Sequence, residues 1–215
     1  NRRHVHEVDG LPAPSRNDEY VFYQTLVGVW PLTPPDESQL AELTARLQQY
    51  MEKATREAKQ RTSWVNPNAA YDQAVRSFVA ATLEPGKKNR FLADFREFHE
   101  QVVDFGLYSA LSQTVLKLTS SGVPDIYQGQ ELWDFSLVDP DNRRPVDYAK
   151  RRWLLGELLA ADADPESRRA LAQHLAATPR DSRLKLLATW RLLSLRRTEP
   201  ELFQQGDYLP LEIGG

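Results

Sequence analysis

One run, Val123 to Tyr127 between Gly122 and Gly129, reads as the only confident β-strand in a chain otherwise patterned for helices. Val123, Ile126 and Tyr127 are strand formers. A single buried strand cannot stand alone, because its backbone donors and acceptors need neighbouring strands. The expected fold class is therefore mainly α, with one β element whose partners come from sequence outside this chain. Both ends read the same way. The chain opens on Asn1-Arg2-Arg3 rather than on methionine, and Tyr208 to Ile213 reads as a weaker strand beginning just before Gly214-Gly215. The expectation is a piece cut from a larger protein.

Around that run the helical pattern is consistent. Thr33 before Pro34-Pro35, with Asp36 and Glu37 following, reads as a helix start. Leu40, Leu43, Leu47, Tyr50, Met51, Ala54 and Ala58 then recur at helical spacing. Asn66-Pro67 predicts a second start, with Tyr71, Ala74, Val75, Phe78 and Val79 on the apolar face and Pro85-Gly86 as the break. Phe91, Phe95, Phe98, Val102 and Phe105 mark a third helix ending near Gly106. A fourth runs from Leu107 to Thr119 with Leu111, Val115 and Leu118 inward. After the strand, Asp147 is expected to cap a helix to about Leu159, and Asp164-Pro165 to start a short one. Asp181-Ser182 should start the last, with Leu184, Leu187, Ala188, Leu192 and Leu195 on one face and Pro200 at its end.

Charge and composition exclude several classes. Of 215 residues, 27 are Lys or Arg and 30 are Asp or Glu, interspersed, giving a net charge of -3. A nucleic-acid surface would need clustered basic residues. No cysteine is present, so disulfides and thiolate metal sites are excluded, and a reducing cytoplasm fits. No apolar run has the length of a membrane span. His4 and His6 lie two apart and share no helical face, so no metal is expected there; no phosphate loop is visible, so nucleotide binding has no support.

The segment after the strand carries the chemistry. From Gln128 to Tyr148 it is dense in carboxylates, amides, guanidinium groups and aromatics. Asp139-Pro140-Asp141-Asn142-Arg143-Arg144-Pro145 cannot form a core, and a polar loop held at a strand end is where binding sites tend to lie. Polyols are recognised by planar amides, carboxylates and guanidinium groups together with an aromatic face, and this stretch supplies all four.

Tyr127-Gln128-Gly129-Gln130-Glu131 after Gly122-Val123-Pro124 resembles the eighth strand and following loop of the α-amylase superfamily (glycoside hydrolase family 13). The extension through Leu132-Trp133-Asp134 and Asp139 to Pro145 is similar to its maltooligosyl trehalose synthase branch. So are Asn17-Asp18-Glu19-Tyr20, Tyr23-Gln24-Thr25-Leu26 and Trp30-Pro31. Lys53 to Lys59 with Thr62-Ser63-Trp64, and Leu111 to Thr114 with Leu116 to Thr119, follow in the same order. The resemblance implies the last strand and helix of a (β/α)8 TIM barrel, preceded by a helical insertion and followed by helices and the start of a C-terminal β-domain. By it, 1–32 is a barrel-associated helical segment and 33–106 a helical insertion near the active-site cleft. Residues 107–160 hold the last barrel strand, its flanking helices and the substrate-side loop. Residues 161–215 lead into the β-domain.

The resemblance also implies what is missing. Retaining glycosidases use two carboxyl groups roughly 5 Å apart. In the superfamily the nucleophile, the acid/base and the stabilising carboxylate belong to earlier strands, so no catalytic residue is expected in this chain.

Substrate-binding candidates are Thr62, Ser63, Trp64, Asn66, Tyr127, Gln128, Glu131, Trp133, Asp139, Asn142 and Arg143. Each has a structural alternative. Glu131 could bridge to Arg143 or Arg144. Tyr127 and Trp133 could be core aromatics. Asp139 to Arg143 could brace its own loop, and Thr62 to Asn68 could be a helix cap with Trp64 as a staple. Lys53, Arg56 and Lys59, three apart, usually mean a solvated face, and His99 and His174 have no identifiable partners.

The implied activity is that of a (1→4)-α-D-glucan 1-α-D-glucosylmutase, an isomerase that rearranges the reducing-end α-1,4 bond of a maltooligosaccharide to α,α-1,1. Its partners would be an α-1,4-glucan and the rest of the same polypeptide. Another α-glucan hydrolase or isomerase of the superfamily, or a helical binding module, are the competing expectations.

Overall fold

The computed structural model describes residues 1–86 and 88–210. It is mainly helical and divides into two compact units, the first formed by Asn1–Val103 with Phe135–Arg144, the second by Asp104–Asp134 with Pro145 onward.

The first unit opens with a 3-10 turn, Arg2–His4, and an antiparallel hairpin of β1 (His6–Val8) and β2 (Leu11–Ala13), in register His6 to Ala13. Asp9-Gly10 turns it, both at positive φ. Three helices follow, each started by a side chain that accepts a backbone N–H, as orphan donors at a helix start require. Ser15 caps α1 (Arg16–Val29). Asp36 caps α2 (Glu37–Ala58) in a reciprocal capping box with Gln39. Asn68 caps α3 (Ala69–Leu83). The start read at Asn66-Pro67 thus lies two residues too early, because Ser63 to Asn66 closes a turn of its own before the helix begins.

α1, α2 and α3 share one core of Phe22, Leu26, Leu43, Leu47, Met51, Val75, Phe78 and Val79, which α4 joins through Leu92 and Phe95. Trp30 packs edge-on against Phe95, and the buried His99 lies against both rings. His99, read as partnerless, is therefore a core residue. Tyr71 ties α3 to the start of α1: its hydroxyl donates to Asp18 and accepts from the Ser15 N–H.

The helices expected at Phe91 to Phe105 and at Leu107 to Thr119 are one, α4 (Arg90–Thr119). Gly106 does not interrupt it, since one helical glycine costs only about 1 kcal/mol against many turns of good helix formers. Its inward stripe also differs. Leu92, Phe95, His99, Val103 and Leu107, then Thr114 and Leu118, are buried, whereas Phe98, Phe105 and Val115 are exposed.

In the second unit the expected strand does not form. Val123 to Tyr127 forms no ladder, and Val123 is 97% exposed. The described residues hold no strand for it to pair with except β1 and β2, which already pair with each other. Arg196 secures the approach instead, donating to the carbonyls of Leu118 (3.1 Å), Ser120 (2.8 Å) and Gly122. These are helix C-terminal carbonyls and their continuation, which favour a cation.

The remaining helices begin as read. Asp147 caps α5 (Tyr148–Asp162) and Asp164 caps α6 (Pro165–Ala177). Next come α7 (Arg183–Thr198) and a short α8 (Pro200–Gln205). Leu132, Leu154, Leu158, Leu175 and Leu186 form this unit's core. On α7 the fully buried positions are Leu186 and Thr189; of the stripe read from Leu184 to Leu195, Leu184 and Leu187 pack against the core half-buried, and Leu195 is exposed. Pro200 starts α8 after α7 has ended. At Tyr208 no strand is present, and Leu211 to Gly215 lie outside the described residues.

Candidate functional site: a braced loop and an outward tryptophan

In the first unit one side of α2 organises the site. Arg46, Lys53 and Arg56 follow each other at seven and three residues, which places them along one side of a helix. Arg46 grips the loop 135–144: its Nε donates to Asp141 Oδ1 at 2.9 Å, and its Nη2 to Asp141 Oδ2 and the Phe135 carbonyl, each at 2.8 Å. Asp141 Oδ2 also accepts the Leu137 N–H at 2.7 Å. Burial pushes the Asp141 carboxyl up, but the Arg46 fork, the Leu137 N–H and the nearby Arg144 outweigh it and hold it below the usual carboxylate range. Lys53 Nζ donates to the Asp139 carbonyl at 2.6 Å.

These contacts turn Leu137 and Asp141 inward, and Leu137 joins the core. Asp139 and Arg143 pair with each other on the 3-10 turn Asp141–Arg143, and Arg143 is exposed. Asn142 is half-buried, and its Oδ1 is enclosed without a hydrogen-bond partner among the described residues. The self-bracing reading of this loop is correct in part. Arg144 does tie the loop to itself, through the Asp141 carbonyl and Ser136 Oγ, both at 3.1 Å. The main brace is Arg46, which the sequence reading passed over.

Farther along α2, Arg56 donates through Nε (3.1 Å) and Nη2 (2.7 Å) to Oδ2 of the buried Asp72 and pairs with Glu52 at 2.9 Å. Its guanidinium also lies 4.7 Å from the centroid of the Trp64 ring, a cation–π contact. Lys53 and Arg56 are thus working side chains and not a solvated face. Trp64 remains 57% exposed, so it is no hydrophobic staple. Its neighbours hold the turn: the buried Thr62 Oγ1 accepts from the Asn68 N–H (3.0 Å), and Ser63 Oγ from the Asn66 N–H (2.8 Å). Asn66 is exposed. Of this group, Trp64 and Asn66 are open to a ligand, and Thr62 and Ser63 shape the turn that presents them.

In the second unit Glu131 forms the expected kind of ion pair with a different partner. Arg151, on α5, donates to Glu131 Oε2 at 3.0 Å, to the Gly129 carbonyl at 2.6 Å and to the Asp147 carbonyl at 3.0 Å. One helical turn of α5 thereby fixes the segment 129–131. Gly129 has φ +92°, a conformation glycine adopts without strain, and a Cβ there would lie 3.4 Å from Arg151 Nη2. Tyr127 and Gln128 are exposed at the preceding turn. Trp133 is half-buried, its indole N–H donating to the Pro179 carbonyl at 3.1 Å.

Beside Trp133, Lys185 Nζ lies 5.7 Å from the ring centroid, in a cavity of about 340 Å³ that Gln113, Lys117, Gln130 and Asp134 also line. Burial lowers the Lys185 pKa, and repulsion from Lys117 lowers it further against the opposing pull of Asp134 and Glu131. Among the described residues no three His, Cys, Asp or Glu lie together in a way that could hold a metal ion. Nor is any helix of the described residues long and apolar enough to cross a membrane.

No protein-family profile matches the chain. Individual proteins do. A Mycobacterium tuberculosis protein assigned as a maltooligosyl trehalose synthase is 38% identical over 204 residues, covering 95% of this chain and 23% of the relative. The crystal structure of a maltooligosyl trehalose synthase superposes with a TM-score of 0.77 at 36% identity, over 93% of this chain and 25% of that one. A glycosyltrehalose synthase from strain DSM5389 gives 0.67 at 39% identity, over 91% of this chain and 23% of that one. The chain therefore spans about a quarter of the length of the relatives it matches. Over that quarter, in sequence and in the path of its helices, this chain is similar to maltooligosyl and glycosyl trehalose synthases.

Proposed function

We propose that the protein to which this chain belongs is an intramolecular transglucosylase. It converts the reducing-end α-1,4 bond of a maltooligosaccharide to an α,α-1,1 bond, leaving a terminal trehalose unit. The observation that carries this reading is the identity of 36–39% with maltooligosyl and glycosyl trehalose synthases across more than nine-tenths of the chain.

In this reading the chain lines the substrate cleft and the catalytic carboxylates lie elsewhere in the polypeptide. Segment 33–106 is the helical insertion at the cleft. Segment 107–160 carries the last barrel strand, whose pairing partners belong to the rest of the protein, with the substrate-side loop. Segments 1–32 and 161–215 flank the barrel and lead toward a β-domain. No cofactor takes part, and the enzyme works in the cytoplasm.

The chemistry sets a demand this chain is suited to meet. A glycosyl–enzyme intermediate must be attacked by the anomeric hydroxyl of the released glucose before water reaches it. The glucose has to turn over without leaving, in a pocket closed to solvent. Trp64, with its ring held by Arg56 and one face outward, offers a stacking surface for a sugar. Asp139, Asn142 and Arg143, on a loop that α2 braces, offer acceptor, amide and guanidinium groups to its hydroxyls.

Full-length protein incubated with maltohexaose tests the reading. The expected result is loss of reducing ends at constant total sugar, with an α,α-1,1 anomeric signal by NMR. A rise in reducing ends would make the protein a hydrolase and overturn the proposal. The isolated 215-residue chain is expected to leave maltohexaose unchanged, and turnover by it would overturn the assignment of catalysis to the rest of the polypeptide.

A further inference from the structure

We infer that Arg46 is a positioning residue for the reaction: by fixing loop 135–144 to α2, it sets how many glycosyl transfers end in the 1,1 bond and how many in hydrolysis. This rests on the cleft reading above and goes beyond it, since Arg46 lies outside every motif of the resemblance.

The geometry is specific. Arg46 and Asp141 face each other through two parallel N–H···O bonds, with side chains only 18% and 13% exposed. The same Arg46 Nη2 takes the Phe135 carbonyl and Asp141 takes the Leu137 N–H, so one fork closes both limbs of the loop. Lys53 adds a third anchor at Asp139, seven residues along the same side of α2. Although the chain on both sides of it belongs to the other unit, the segment Phe135–Arg144 folds with the first.

The consequence concerns the residues left outside. With 137 and 141 held inward, Arg143 is exposed and Asp139 and Asn142 lie half-buried beside it. Their spacing depends on the fork together with Lys53, because Arg143 pairs with Asp139, Lys53 holds the Asp139 carbonyl, and Asn142 Oδ1 has no hydrogen-bond partner among the described residues. Loosening the fork leaves Lys53 as the remaining α2 anchor, at Asp139, and frees Asn142 and Arg143 to move about it. A loosened wall admits water to the intermediate during the reorientation of glucose, so the damage should fall on product choice before it falls on the first bond cleavage. Lysine at position 46 would keep the charge but lose the planar two-bond fork.

The test uses the full-length enzyme with Arg46→Ala, Arg46→Lys and Asp141→Asn. Hydrogen exchange of the 135–144 amides should quicken at least tenfold in Arg46→Ala while α1 and α3 keep their protection. The share of turnovers yielding glucose and a shortened glucan should rise severalfold, with kcat for substrate consumption changed by less than twofold. Arg46→Lys should lie between, and Asp141→Asn should behave like Arg46→Ala, which keeps the test valid if one variant fails to fold. Unchanged loop exchange, or a loosened loop with unchanged product ratio, overturns the inference. A wild-type enzyme that forms no 1,1 product overturns the cleft reading instead, and the exchange measurement still decides whether Arg46 holds the loop.

Discussion

Gly129→Ala isolates how Arg151 holds the segment that carries Glu131. The residue has φ +92°, so an alanine there takes on backbone strain of about 1–2 kcal/mol. Its Cβ would stand 3.4 Å from both Arg151 Nη2 and Val146 Cγ2. Arg151 cannot simply swing away. That Nη2 is the atom bonded to the Gly129 carbonyl at 2.6 Å, and Nε of the same guanidinium holds Glu131, so a backbone shift that relieves the strain at 129 loosens both. A hydrogen bond to a charged group is worth about 1.5–3 kcal/mol, and this one is partly solvent-screened, so the lower figure applies. Strain and the full loss of that bond together come to about 2.5–3.5 kcal/mol.

If local opening of 127–134 governs its exchange, the lower figure of about 2.5 kcal/mol means amides exchanging about 70-fold faster. Gly156→Ala is the matched control. It lies in α5, 27 residues on, where a Cβ meets nothing within 4 Å and alanine favours the helix by about 0.5–1 kcal/mol. Hydrogen exchange followed by mass spectrometry on the full-length protein should therefore show opposite signs for the two substitutions. Exchange of 127–134 within twofold of wild type in Gly129→Ala would refute the steric argument and the fixing role given to Arg151.

Three further outcomes follow from the same geometry. Trp64→Ala should raise the KM for maltohexaose about fivefold, the loss of roughly 1 kcal/mol of stacking, without lowering the unfolding temperature, because the ring is mostly exposed; unchanged kinetics would remove Trp64 from the site. Leu47→Ala, at a fully buried position on α2, should cost about 2–5 kcal/mol and be seen as faster exchange throughout α2 and α3; a loss under 1 kcal/mol would mean the core is not packed as described. Asp141 titrates below its ordinary value of 3.8, so its bonding to Arg46 stabilises the loop fully above that pH and is lost as pH falls through the lowered value. Loop protection should thus be flat from pH 5 to 8 and collapse on acidification, and Asp141→Asn should abolish that dependence.

Much of the local structure was legible from the residues. Asp147 and Asp164 start their helices where capping chemistry places them, since a cap is a bond between near neighbours, whereas α2 starts three residues later than Thr33, on an Asp36 read as part of its first turn. The apolar faces of α2 and α3 follow a 3.6-residue period and are the faces buried.

Partner choice was not. Glu131 had two arginines nearby in sequence and pairs with a third, 20 residues away, because α5 brings Arg151 to it. Arg46 and Asp141 are 95 residues apart, and nothing in the spacing of either announces the other. Which stripe of α4 faces inward was misread for a related reason: an exposed Phe98 and a buried His99 differ only in what packs beside them. The strand at Val123 shows the limit most plainly. Its β-forming residues specify an extended chain, but a ladder is a relation between two segments, and only tertiary structure decides whether the second is there.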